Sequence, residues 1–252
     1  MAMNEKFFFS LRDVDLDNDD QLHAFATRVW SQAISARTTT NDNEPNEREN
    51  EMTTTILTQR YADAVAYASD LHADQTRKST LIPYISHLLG VSSLVLEAGG
   101  DEDMAIAALL HDGPEDQGGQ STLDDIRARF GDRVAHIVEG CSDSLTEDPE
   151  AKAPWKERKV AYLAHLQDTD DDTRTVSMAD KLHNARAIVT DLRISGPTTW
   201  DRFNSSSEEI LWYYTEILNI GLARSSNAFL KTNLQATVTE MTDLNRAHRE
   251  QQ

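Results

Sequence analysis

The sequence predicts an all-α protein, an irregular bundle of several helices, and three observations predict it. From residue 55 to about 225 apolar residues return three and four positions apart, as on one face of a helix. Residues that start and stop helices bracket those runs, and apolar–polar alternation of the strand type is sustained nowhere. No repeat period is visible, which favours an irregular bundle over a solenoid. The 252 residues, 27% of them charged, suffice for one large soluble domain or two small ones.

In chain order, Leu22, Phe25, Val29, Trp30 and Ile34 recur at helical spacing and mark one short amphipathic helix. A stretch over residues 37–55, free of aromatics and rich in Thr, Asn and Glu, follows with the composition of a linker. Residues 1–50 are therefore expected to be an appendage without a core of its own, dispensable for activity. Met52 stands at a good helix start and is an alternative initiation residue. Ile56, Tyr61, Val65 and Ala68 outline the next helix, and Ile85, Leu88, Val91 and Val95 the one after it.

Asp101 precedes the apolar run that ends at Leu110, Ser121 with Asp124 resembles a capping box, and Pro154 suits a first helical turn. Gly100, Gly131, Gly140 and Gly196 are expected at helix ends. Residues 212–222 read as a further packed helix, with polar sequence after them. The expected organisation is a main domain over 51–225 and a helical tail over 226–252.

Charge narrows the function. With 24 Lys and Arg against 43 Asp and Glu, the formal net charge is −19. Phosphate backbones and anionic bilayer surfaces demand clustered cations, so neither nucleic acid nor a membrane is an expected partner. A phosphate-bearing small molecule must then be met by a local basic pocket. The longest apolar run, from Met104 to Leu110, is far short of the roughly 20 residues of a membrane helix. Phe7, Phe8 and Phe9 are followed at once by polar and acidic residues without a cleavage-like site, so a cytoplasmic location is expected. Cys141 is the single cysteine, which leaves only nitrogen and oxygen to bind a metal.

The pair His111–Asp112 ends an apolar helix, but about one His–Asp dipeptide is due to chance in a chain of this composition. Its company gives it weight. Glu115 and Asp116 follow within a turn, Asp180 opens the string Asp180–Lys181–Leu182–His183–Asn184 on another predicted helix, and His87 lies on a helix opposite. Acids and imidazoles at inner helix ends cost several kcal/mol each unless paired or ligated. One divalent cation would satisfy four of them. A mixed imidazole–carboxylate set suits Mn²⁺, Fe²⁺ or Zn²⁺ more than copper, without choosing among the three. Such an ion polarises a phosphoryl oxygen and acidifies bound water, and Glu115 or Asp116 could then take the water proton.

Arg77–Lys78, just before Pro83–Tyr84, form the most obvious phosphate clamp in an acidic chain. Asn184 stands one helical turn beyond Asp180 and shares its face, while Lys181 and Arg186 are expected to add positive field. His72 and His183 read as helix residues with local hydrogen bonds. No role is expected for His23, His136, His165 or His248. The acidic residues Asp168, Asp170, Asp171 and Asp172 lack the spacing of a calcium loop and read as a solvated helix start. One of Trp212, Tyr213 and Tyr214 is expected to line the pocket.

These motifs resemble the HD-domain hydrolases of the RelA/SpoT type, specifically the stand-alone small alarmone hydrolases. The segment from His72 to Lys78 looks like that family's His-x-x-Gln-x-Arg-Lys, and Pro83–Tyr84–Ile85–Ser86–His87 like its Pro-Tyr-Ile-x-His. The run from Ala107 to Asp116, then Phe130–Gly131 with Val134, then Ala179 to Asn184, follow in family order, so the resemblance spans about 60–190. It implies an all-α HD fold with one Mn²⁺ held by His87, His111, Asp112 and Asp180. It further implies that Glu115 and Asp116 orient or activate the attacking water, and that Arg77, Lys78, Tyr84 and Asn184 hold the nucleotide and its phosphates; Lys181, next to Asp180, is expected to join them at the substrate. The implied activity is removal of the 3′-pyrophosphate from a guanosine or adenosine alarmone such as (p)ppGpp or (p)ppApp. An HD phosphohydrolase of another nucleotide ester, or a non-catalytic alarmone sensor, are the alternatives. Gly113–Pro114 and Gln117–Gly118–Gly119 depart from the family pattern, and this rebuilt loop is expected to shape the pocket floor for a different base or a different phosphate chain.

Overall fold

A computed structural model describes residues 55–142 and 153–250; the predicted helix over 22–34 and the linker after it lie outside them. Helix α1 (Gln59–Leu71) starts where the Thr58 side chain accepts from the Arg60 amide, and α2 (Ile85–Glu97) follows a tight loop. Helix α3 (Glu102–Leu110) is capped as expected, the Asp101 carboxylate accepting from the Met104 amide at 3.1 Å. All residues from Ala105 to Leu110 are fully buried, so α3 is the central strut of the bundle. Its alanines 105, 107 and 108 let α1 and α2 pack against it closely, and Ile106, Leu109 and Leu110 fill the remaining space.

The single turn α4 (Gly113–Asp116) leads into α5 (Gly119–Phe130) and α6 (Asp132–Cys141). After residues 143–152 come α7 (Trp155–Asp168) and α8 (Asp171–Ser195), whose 25 residues span about 37 Å. A 3₁₀ turn (Gly196–Arg202), α9 (Ser207–Arg224) and α10 (Ala228–Arg249) complete the described chain. Helix α8 is the common partner, packing on α2, α3, α6, α9 and α10. It therefore carries any residue placed on its inner face to the centre of the molecule. Among the described residues there is no strand, only an isolated bridge between Thr76 and Pro83, and no helix is long and apolar enough to cross a membrane.

One local expectation is corrected, and two others gain a physical reason. Ser121 does not cap a helix: α5 begins two residues earlier, after Gly118 at φ 119°, and the Ser121 hydroxyl donates to the Gly118 carbonyl at 2.7 Å. Gly140 lies in the last turn of α6, near the helix end as expected, and a Cβ there would come 2.6 Å from Thr173 Cγ2; it is glycine so that α8 can approach. The helical tail expected after residue 225 is α10, a 22-residue helix that packs into the core through buried Leu230, Leu234, Val238 and Met241. Those four recur every three or four residues and form one narrow stripe, which the polar majority masks in a composition-based reading. The acidic run behaves as read, since Asp170 caps α8 by accepting from the Thr173 amide at 2.8 Å and Asp172 pairs with Arg133.

Candidate metal centre

Four elements deliver the centre. His87 comes from the first turn of α2, His111 and Asp112 from the junction of α3 with α4, and Asp180 from the middle of α8. Donor atoms of His87, His111 and Asp180, all three buried, lie within 4.8 Å of one another. Asp112 joins them, its Oδ2 3.1 Å from His111 Nε2 and 3.5 Å from His87 Nε2. Asp180 Oδ1 stands 3.2 Å from His87 Nε2 and 3.6 Å from His111 Nε2.

Neither imidazole Nε2 makes a hydrogen bond despite these neighbours. Two buried nitrogens left unsatisfied beside two carboxylates are costly as they stand and are what a shared cation would satisfy. His111 Nδ1 lies 2.9 Å from the Ala108 carbonyl, which can only accept, so Nδ1 carries a proton and Nε2 is the ring atom left to take a proton or a cation beside the carboxylates. The donor set thus fits a divalent metal.

The electrostatics agree. Burial alone would lower the His111 pKa, but Asp112 and Asp180 outweigh it and hold the imidazole well above its ordinary range. Burial alone would raise the Asp180 carboxyl; Lys181 and the two histidines reverse this and hold it well below the usual carboxylate value. Asp112 is likewise held low, chiefly by His111 against the burial penalty. The centre is an anionic sink that takes either a proton or a metal cation.

Three residues expected to touch substrate are wired to these carboxylates. The Tyr84 hydroxyl donates to Asp112 Oδ2 at 2.6 Å, the Asn184 amide donates to Asp180 Oδ1 at 2.6 Å, and Lys181 pairs with Asp180 Oδ2. Arg77 donates to Asn184 Oδ1 at 2.7 Å, which links the basic loop to the centre. That loop closes on itself, with Arg77 N to the Ile82 carbonyl at 2.8 Å and Tyr84 N to the Gln75 carbonyl at 2.9 Å, and Ser79 takes a left-handed φ of 60° at its tip. Glu115 is half-buried and Asp116 exposed on the α4 turn beside the ligands.

A cavity of about 670 Å³ includes Tyr84, Lys181, His183 and Asn184 in its wall. Arg77, Lys78, Arg158, Lys159 and Arg202 make it basic within an acidic chain, while Trp155, Phe203, Ile210, Tyr213 and Tyr214 give it an apolar side. Size and lining suit a phosphorylated nucleotide. Where one of Trp212, Tyr213 and Tyr214 is expected, both tyrosines line it, and Trp212 lies under the Lys156 ammonium. Arg186 is not part of it and donates to Asn233 on α10 at 2.7 Å, because two residues on from Asn184 a helix has turned by about 200°. None of residues 113–119 lines this cavity. Gly113 and Pro114 are buried, and a Cβ on Gly113 would meet Leu71 and Thr122, so this part of the loop is shaped by packing.

Sequence reasoning overlooked Gln75 and undervalued His183. The Gln75 amide donates to Asp116 Oδ2 at 2.8 Å, and its oxygen faces His72 Nδ1 at 2.6 Å and accepts from Gln117 at 2.7 Å. The His-x-x-Gln spacing was the available signal. His183 Nδ1 lies 2.9 Å from His87 Nδ1, and burial, with His87 and Arg77 adding to it, pushes the His183 pKa down to about 4. Arg158 and Lys159 offered no signal, since a Lys–Glu–Arg–Lys run is ordinary on a solvated helix face.

Fold and site together define a helical domain with a buried histidine–aspartate centre beside a basic cavity, the two joined by Tyr84, Lys181 and Asn184. The chain belongs to the HD domain family, which its residues 64–199 match. It is similar to the guanosine-3′,5′-bis(diphosphate) 3′-pyrophosphohydrolase MESH1 of Xenopus tropicalis, 34% identical over 175 residues that cover 68% of this chain and 89% of that protein. The MESH1 of Danio rerio is 30% identical over 183 residues, 71% of this chain and 92% of its own. Among solved structures, a metazoan SpoT ortholog described as hydrolysing ppGpp and acting in starvation responses superposes with a TM-score of 0.60. It shares 26% identity over 74% of this chain and 97% of its own.

Proposed function

We propose that this protein is a metal-dependent hydrolase that removes the 3′-pyrophosphate from a nucleotide alarmone, (p)ppGpp or (p)ppApp, in the cytoplasm. One observation carries the reading: two buried imidazole Nε2 atoms without hydrogen bonds converge on Asp112 and Asp180 beside a basic cavity of nucleotide size. The printed activity of the MESH1 relatives supports it. His87, His111, Asp112 and Asp180 would hold the ion, for which Mn²⁺ is proposed ahead of Fe²⁺ and Zn²⁺. When bound, the metal supplies Lewis acidity toward a phosphoryl oxygen and acidifies a water.

The side chains do the remainder. Arg77 and Lys78 take the charge of the 3′-phosphates, Arg77 being aimed by its bond to Asn184. Tyr84, Lys181 and Asn184 fix the ligand carboxylates and present their cavity-facing atoms to the nucleotide. Water bonds to the phosphorus and the bond from phosphorus to the 3′ oxygen breaks. Glu115 or Asp116, the latter steadied by Gln75, takes the water proton and hands it on to the 3′ oxygen, which leaves as a hydroxyl. Residues 1–50 are proposed to be dispensable for this reaction.

The test is an incubation of Mn²⁺-loaded protein with the 3′-pyrophosphorylated guanosine and adenosine nucleotides, followed by anion-exchange separation of the products. Pyrophosphate release is expected, with loss of about 10²–10⁴ in rate in Glu115→Gln or Asp116→Asn at nearly unchanged nucleotide affinity. Release of inorganic phosphate alone would point to a different phosphoester, and tight binding without turnover to a sensor; either would overturn the proposal.

A further inference from the structure

Two nitrogens 2.9 Å apart, His87 Nδ1 and His183 Nδ1, share one proton between them, and which ring carries it decides what His87 can do. His87 Nε2, 3.2 Å from Asp180 and 3.5 Å from Asp112, can give its lone pair to a cation only if the ring proton is on Nδ1. His183 Nδ1 must then accept that proton's hydrogen bond and carry its own proton on Nε2. The reverse arrangement places a proton on His87 Nε2 and closes the lone pair to a metal.

His111 receives the same service from the Ala108 carbonyl at 2.9 Å, which has no proton to give. A ring nitrogen does for His87 what a backbone oxygen does for His111. The chain also makes room for that ring. A Cβ on Gly90, one turn along α2 from His87, would come 2.3 Å from His183 Nε2 and 2.5 Å from its Cδ2, so only glycine there admits the imidazole. His183 follows Asp180 by three residues on α8, so one face of one helix delivers both a carboxylate of the centre and the group that orients a histidine of the centre.

We propose that His183 is a positioning residue for the metal: by accepting from His87 Nδ1 in the space left by Gly90, it fixes His87 in the tautomer whose Nε2 is free to ligate. The proposal rests on the metal reading above, and its test separates the two. The full-length protein, stripped of metal by a chelator, is titrated with Co²⁺ and followed by visible absorption. His183→Leu and His183→Ala remove the acceptor, whereas His183→Asn keeps an acceptor oxygen near the place of Nδ1.

Wild-type protein is expected to bind one Co²⁺, the Leu and Ala variants about 10–100-fold more weakly, and the Asn variant within about threefold of wild type. Thermal melting of the metal-free proteins identifies any variant that does not fold; with Leu and Ala both present, an acceptor-free variant remains for comparison. Equal affinity in wild type and the acceptor-free variants, or an equal loss in Asn and Ala, would overturn the proposal. Absence of Co²⁺ binding by wild-type protein would instead overturn the metal reading, and this inference with it.

Discussion

At the scale of single residues, the centre is governed by competition between a proton and a metal for the same lone pairs. Asp112 and Asp180 hold the His111 pKa well above its ordinary value against the penalty of burial. Near neutral pH the metal-free centre therefore carries a proton that a ligating Nε2 must lose. Metal binding should release about one proton at pH 7, and affinity should rise as pH rises toward the elevated His111 value, not fall. Calorimetric titration with Mn²⁺ in buffers of different ionisation enthalpy measures the release; no buffer dependence would mean that His111 is not a ligand. His183, held neutral by a pKa near 4, does not add a second proton in this range.

Among the elements, α3 and α8 position the chemistry. Helix α3 is buried throughout its last two turns and ends at His111, so His111 inherits the rigidity of the core. Helix α8 presents Asp180, His183 and Asn184 at i, i+3 and i+4, one face aimed at the centre, while α10 packs along the same helix. Helix α10 is thus the indirect support of the site. Burying Leu230, Leu234, Val238 and Met241 contributes about 6–12 kcal/mol together, comparable with the roughly 5–15 kcal/mol that holds a whole domain folded. A chain ending at residue 225 should therefore lose cooperative thermal unfolding and metal binding together. A sharp melting transition in that truncated chain would show that α10 is only an attached tail.

Over the whole molecule, the formal charge is −19, whereas the cavity is walled by Arg77, Lys78, Arg158, Lys159, Lys181 and Arg202. An anionic nucleotide is repelled at long range and attracted at contact. At about 0.1 M salt, charges more than about 10 Å apart are largely screened, while pairs in contact are screened much less. Raising ionic strength from about 10 to 150 mM at constant free metal should thus increase kcat/KM, because the diffuse repulsion disappears first. A steady fall over the same range would mean that the cavity, and not the net charge, sets the field met by the approaching substrate.

The sequence by itself determined the helical class, the capping of α3 by Asp101 and the identity of the carboxylate and imidazole groups at the centre, because periodicity, caps and short motifs are local properties. The motif order also placed Arg77 and Lys78 at the cavity. Only the tertiary structure showed that Tyr84, Lys181 and Asn184 are bonded to the carboxylates, that Gln75 holds Asp116, and that His183 backs His87. It also showed Arg186 bonded to Asn233 outside the cavity wall, Gly113 and Pro114 buried, and the helical tail packed as a core helix. The reason is physical. These contacts join residues up to about a hundred positions apart, and the direction in which a hydrogen bond or a narrow apolar stripe points is set by how helices pack, which no local pattern encodes.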